Sequence, residues 1–214
     1  MKNVRCRLAA VTFLLLAWST SDAQSDASKI EVGAQYTSIN FHNHFGNSEG
    51  VRQGFGGRLT YDWSRNVAVE AILNFFPGDV SQIVVPSSIL PKPRLLGLFG
   101  LKAGIRKDRF GVFVAVHPGF MRFTPVTDCR TTDFSSCRDV LKNEFAIDAG
   151  GVAEAYLSPH VTLRFDIGDA YLRYGDTRFL EADTGLSGPV VGVFTRPGFQ
   201  THNLQVSIGM GFRF

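Results

Sequence analysis

The chain has 214 residues, 44% of them hydrophobic and 19% charged, with 22 Lys/Arg against 19 Asp/Glu for a formal net charge of +3. That length suits one domain. So small a basic excess excludes the one-sided positive footprint that nucleic-acid binding needs.

The first element in the chain is a targeting signal. Lys2, Arg5 and Arg7 are basic, residues 9–18 are an apolar run, and Ser19 to Ala23 are small and polar. The run is too short for a membrane-spanning helix, which takes about 20 apolar residues. Residues 1–23 therefore read as a signal peptide cleaved after Ala23, with residues 24–214 as the mature domain. Cys6 precedes the apolar run and so is not the cysteine of a lipoprotein. Loss of Lys2, Arg5, Arg7 and Asp22 leaves 19 basic and 18 acidic residues, a net +1.

Eight alternating segments follow, predicted as strands over 29–41, 53–63, 67–76, 94–107, 110–123, 144–157, 161–174 and 203–214. In the second, Phe55, Leu59, Tyr61 and Trp63 share one face and Arg58, Thr60 and Asp62 the other. In the third, Val67, Val69, Ala71, Leu73 and Phe75 oppose Ala68, Glu70 and Asn74. In the seventh, Val161, Leu163, Phe165 and Ile167 oppose Thr162, Arg164 and Asp166. The last is cleanest: Leu204, Val206, Ile208, Met210, Phe212 and Phe214 alternate with Asn203, Gln205, Ser207, Gly209, Gly211 and Arg213.

Short connections (64–66, 107–109, 158–160) alternate with long ones (42–52, 77–93, 124–143, 175–200). Short turns on one side and long loops on the other are the pattern of a transmembrane barrel. The predicted fold is all-β, an eight-stranded antiparallel transmembrane up-and-down β-barrel in the bacterial outer membrane, with both chain ends on the periplasmic side. Tyr61, Trp63, Phe110, Phe212 and Phe214 fit an interfacial girdle there. Glu31, Arg58, Glu70, Lys102, Arg106, Glu144, Asp148, Glu154, Arg164, Asp166 and Arg213 lie on the polar faces, with Gly33, Gly54, Gly56, Gly104, Gly150, Gly168, Gly209 and Gly211 on or near them. An eight-stranded barrel has room inside only for side chains. Opposed charges with small residues between them are expected to fill it as paired groups, since an unpaired buried charge is costly. Cys129 and Cys137 stand in a polar loop of an exported chain, so a disulfide is expected between them.

The final strand, with Leu204, Val206, Ile208, Met210, Phe212 and Phe214, resembles the insertion signal read by the barrel assembly machinery. The segment Gly54-Phe-Gly-Gly-Arg-Leu-Thr-Tyr-Asp-Trp-Ser-Arg-Asn-Val-Ala-Val-Glu-Ala resembles the second hairpin of OmpA-like/OmpX-like small outer-membrane barrel proteins. The resemblance implies a barrel-only member, surrounded by outer-membrane lipid and lipopolysaccharide, without a peptidoglycan-binding domain after Phe214.

Functional chemistry is sparse. A nucleophile needs a base and an orienting acid within reach. The nearest local pairing is His160 with Thr162, at a short turn on the periplasmic side. His42, His44 and His202 are candidate metal ligands at the outer rim, where the first and last strands meet. No cofactor and no catalytic residue is assigned. Ile83, Val84, Val85, Ile89 and Leu90, with Val190, Val191, Val193 and Phe194, either extend strands or offer an extracellular partner a surface. The expected role is structural, in envelope integrity or in surface interaction. A lipid A-modifying enzyme and a narrow small-solute channel are the alternatives.

Overall fold

A computed structural model describes residues 29–42, 48–77, 94–129, 137–183 and 190–214. The expected signal peptide at 1–23, His44 and the apolar run from Ile83 to Leu90 lie outside these residues.

The described residues form ten strands: β1 (Ile30–His42), β2 (Ser48–Asp62), β3 (Val67–Phe76), β4 (Arg94–Arg106), β5 (Phe110–Cys129), β6 (Cys137–Tyr156), β7 (Val161–Tyr174), β8 (Thr177–Asp183), β9 (Val190–Arg196) and β10 (Phe199–Arg213). Eight of them close a barrel in the order β1-β10-β7-β6-β5-β4-β3-β2, and β8 pairs with β9 as a separate two-stranded sheet. β1 and β10 close the ring antiparallel, with Glu31 opposite Arg213 and Ile39 opposite Gln205. Closure leaves no open sheet edge, which makes a β structure viable in lipid.

Alternation decides which side each residue faces. Along β10, Thr201, Asn203, Gln205 and Ser207 are buried inside, whereas Leu204, Ile208, Met210 and Phe212 are exposed on the outer wall. Phe55, Leu59, Tyr61, Trp63, Val112, Val114, Val116 and Phe165 continue that exposed apolar wall. The short turns are held by serines. Ser64 Oγ accepts the amides of Asn66 and Val67, and Ser158 Oγ those of His160 and Val161.

Three connections are shorter than predicted. β2 starts at Ser48, pairing with His42 beyond a register shift, and Gly50 takes a left-handed φ of 97°, which suits glycine. β5 and β6 run on through the predicted 124–143 loop to Cys129 and Cys137. Residues 175–200 contain the β8–β9 hairpin. In these stretches the backbone ladder continues past the segments that alternate in the sequence. A hydrophobicity pattern cannot register such strands.

Candidate functional site

The barrel interior has two layers. The layer nearer the short turns is a charge network. Its centre is Glu70 on β3, which is fully buried. Arg164 binds Glu70 through both Nη groups, with Nη2 to Oε2 at 3.0 Å. Lys102 Nζ lies 3.2 Å from Glu70 Oε1, His117 Nε2 3.1 Å from Oε2, and Thr60 Oγ1 donates to Oε1 at 3.0 Å. Lys102 also pairs with Glu154, which accepts from Tyr156 OH at 2.9 Å and lies 3.7 Å from Arg164 Nη1 and from Arg213 Nη2.

Glu31 joins Arg58 (2.8 Å) to Arg213 (3.0 Å), and Arg164 also holds Asp166 through Nε at 2.7 Å. Arg106 grips Asp62 with a two-pronged contact of 2.6 and 2.9 Å, and its Nε donates to Tyr156 OH at 2.9 Å. These side chains come from β1, β2, β3, β4, β5, β6, β7 and β10, so the network ties every barrel strand to the others.

Small residues on the inner face leave the room. A Cβ on Gly211 would come within 2.2 Å of Glu31 Oε1, and one on Gly54 within 2.6 Å of the Phe76 ring. Beside His117 is a cavity of about 10 Å³, bordered by Asp148, Asp166 and Gln205, about the space of one water. Asp148 Oδ1 and Gln205 Oε1 have no hydrogen-bond partner among the described residues. Two acceptors facing one small space need a donor, and a water molecule would supply it.

The layer nearer the long connections departs from the polar filling expected throughout. Ile39, Phe41, Ile72, Phe76, Leu96, Leu98, Met121, Ala146, Ala170 and Leu172 are buried as one apolar cluster inside the barrel. Phe41 meets Phe76 edge-on at 6.0 Å, and the Arg94 guanidinium covers Phe41 at 4.2 Å. The reason is dimensional. Eight strands enclose a space that side chains alone fill, and a water-excluded end is best filled by apolar groups.

The eleven charges expected inside do not all join. Glu31, Arg58, Glu70, Lys102, Arg106, Glu154, Arg164, Asp166 and Arg213 meet in the central network. Asp148 reaches it through His117 Nδ1 at 3.3 Å. Glu144 stands apart at the other end, with Lys142 at 2.9 Å and the Gly175 amide at 2.9 Å. His117, Asp62, Tyr156 and Thr60 were missing from the expected set. Strand parity carried the signal for Thr60, Asp62 and Tyr156, which fall on the faces of Arg58 and Glu154, whereas β5 holds no assigned charge to mark His117.

The histidine candidates fare differently. His42 ends β1, its amide donating to Asn203 Oδ1 at 2.9 Å, and His202 turns its Nδ1 to Asp169 Oδ2 at 2.5 Å. Among the described residues no group of three or more His, Cys, Asp or Glu side chains is placed to hold a metal ion. His160 and Thr162 do not share an environment: His160 is exposed and stacks on Phe212 at 5.7 Å, while Thr162 is fully buried. Cys129 and Cys137 are cross-strand register partners at the tip of the β5–β6 ladder.

A family model described as outer membrane protein beta-barrel domain matches residues 8–214. Among solved structures, the chain is similar to Neisserial surface protein A (NspA) at 13% identity and a TM-score of 0.52, over 89% of this chain and 100% of that one. It is also similar to Ail, the attachment invasion locus protein of Yersinia pestis (13% identity, TM-score 0.49, 88% and 100% covered). A third is the outer membrane protein OprG from Pseudomonas aeruginosa (12%, 0.49, 90% and 99%). No curated protein matches. At these identities the likeness concerns the fold alone.

Proposed function

Since the chain belongs to the outer membrane protein beta-barrel family, we propose that it is a small integral barrel of the bacterial outer membrane with a structural, envelope-integrity or surface-interaction role and a sealed interior. The observation that carries this reading is the two-layer filling: a charge network from all eight strands below an apolar cluster that closes the remaining bore. Ions crossing it would have to break buried pairs and then enter an apolar, water-excluding layer, and both steps are costly. This favours the structural role over the small-solute channel. Among the described residues no nucleophile, base and oxyanion donors are grouped, so the lipid A-modifying activity stays the second choice.

Extracellular partner binding belongs to the same reading. The β4 register with β5 stops at Arg94 opposite Phe123, and that of β7 with β6 at Arg173 opposite Phe145, yet β5 and β6 continue together to Cys129 and Cys137. Among the described residues the hairpin tip therefore pairs with no barrel strand, and it would project outside the cell. In the same reading residues 1–23 direct export, and the alternating strand ending in Phe212 and Phe214 is the part read by the barrel assembly machinery.

Conductance tests the sealed interior. Purified protein in a planar bilayer is expected to give traces indistinguishable from the bare bilayer. Sustained unitary currents that scale with protein would overturn the sealed reading.

A further inference from the structure

We propose that the barrel wall carries a built-in parting point between β4 and β5, at Phe99 and Pro118, where the two strands open locally while the ring stays closed. Its setting in lipid rests on the outer-membrane placement proposed above.

The β4–β5 ladder has a gap. It runs in one register from Arg106 opposite Gly111 to Arg94 opposite Phe123, but the pairing skips from Leu101 opposite Val116 to Leu98 opposite Gly119. Phe99 and Gly100 are thus unpaired with His117 and Pro118. Each strand keeps its other neighbour through the gap. Ala71 and Glu70 of β3 pair with Phe99 and Gly100, and Asp148 and Ile147 of β6 pair with His117 and Pro118.

The gap has a chemical cause. The Lys107 amide donates to the Phe110 carbonyl at 2.7 Å, and hydrogen-bonded pairs recur at every second residue of an antiparallel ladder. In the β4–β5 register they fall at Ile105 with Val112, Ala103 with Val114, Leu101 with Val116 and then Phe99 with Pro118. The donor facing the Phe99 carbonyl would be the Pro118 amide, and proline has no N–H. Proline is normally confined to sheet edges and bulges for this reason. Here the ring has no edge, and the register is the same on both sides of the gap.

The surroundings do not compensate. Phe99 and Pro118 are exposed on the outer wall, among Leu101, Val116 and Phe120. In lipid no water replaces the missing donor. A hydrogen-bonded pair normally exchanges two bonds, and this one has at most one to lose on opening. Gly100 adds to the weakness. A Cβ there would come within 2.0 Å of the Val116 carbonyl oxygen, so β4 approaches β5 without the cross-strand side-chain pair that stabilises a sheet. Fewer bonds and fewer contacts lower the free energy of local opening.

Opening is bounded at both ends. Towards the short turns, Lys102 pairs with Glu154 and Arg106 Nε donates to Tyr156 OH at 2.9 Å, which ties β4 to β6 across β5. Towards the long connections, the Arg94 guanidinium lies 5.2 Å from the Phe123 ring. A slot of two residues per strand remains between them.

Amide hydrogen exchange, read residue by residue by NMR on the full chain refolded in detergent micelles, tests the slot. The Phe99, Leu101 and Val116 amides are expected to exchange faster than those of Ala34, Tyr36 and Ile208 at the β1–β10 seam. Pro118→Ala supplies the missing donor and is expected to slow them about tenfold, the worth of one hydrogen bond. Exchange in the wild type no faster than at the β1–β10 seam, or rates unchanged by Pro118→Ala, would overturn the parting point. Heat-modifiable gel mobility reports separately on whether a membrane barrel formed. A wild type that fails there overturns the placement; if the variant alone fails, the wild-type comparison of the two seams decides.

Discussion

Glu70 shows how much one residue can carry. It meets two cations and a histidine in a space where water has little access. Removing one member of such a group leaves the others buried and uncompensated, at a cost of about 3 to 5 kcal/mol. Glu70→Ala is therefore expected to lower the unfolding midpoint of the refolded barrel by an amount of that order, read by heat-modifiable mobility against temperature or denaturant. An unchanged midpoint would mean that water fills the gap and that the network contributes little. The inward position of Glu70 was legible from period-2 alternation with Ala68 and Asn74. Its partners were not, because Arg164 is 94 residues away in the chain, and only ring closure brings β7 within reach of β3.

Among the elements, the two projecting hairpins matter most. Cys129 and Cys137 are register partners, and a disulfide between them is proposed, since the proposed outer-membrane placement would put them where thiols oxidise. Mass mapping after alkylation without reductant should find both thiols blocked from labelling. Its loss in Cys137→Ser is expected to destabilise the hairpin by about 2 to 4 kcal/mol at most. Labelling of both cysteines in the native protein would end the idea. The β8–β9 hairpin makes a separate sheet outside the barrel ring. Replacing Thr177–Arg196 by a short turn should leave barrel mobility intact and weaken only adhesion to a surface partner; unchanged adhesion would remove this hairpin from the partner surface. Val190, Val191, Val193 and Phe194 of β9 were weighed in the sequence as a strand extension, since valine-rich runs suit strands, whereas the β5–β6 extension was read as a loop for a physical reason. Above the lipid no face of a strand needs to be apolar, so the signal that marks a transmembrane strand is missing.

At the scale of the whole molecule, the apolar outer wall and the filled interior describe one solution to one problem. Lipid demands that every backbone group be paired, and the closed ring β1-β10-β7-β6-β5-β4-β3-β2 achieves that except opposite Pro118. A lysine or arginine turned outward near the membrane midplane would cost about 2 to 4 kcal/mol, an acid less, which is why Glu31, Glu70, Lys102, Glu154 and Arg164 point into the bore. The eight barrel strands, their faces, the short turns and the barrel architecture were determined by the sequence alone, because side-chain alternation is local and survives without knowledge of neighbours. The tertiary structure decided which charges meet, that His117 joins them, that the far half of the bore is apolar, and that β5 and β6 outrun their neighbours. Each of these depends on register between strands distant in the chain, and register is a property of the closed sheet rather than of any one segment.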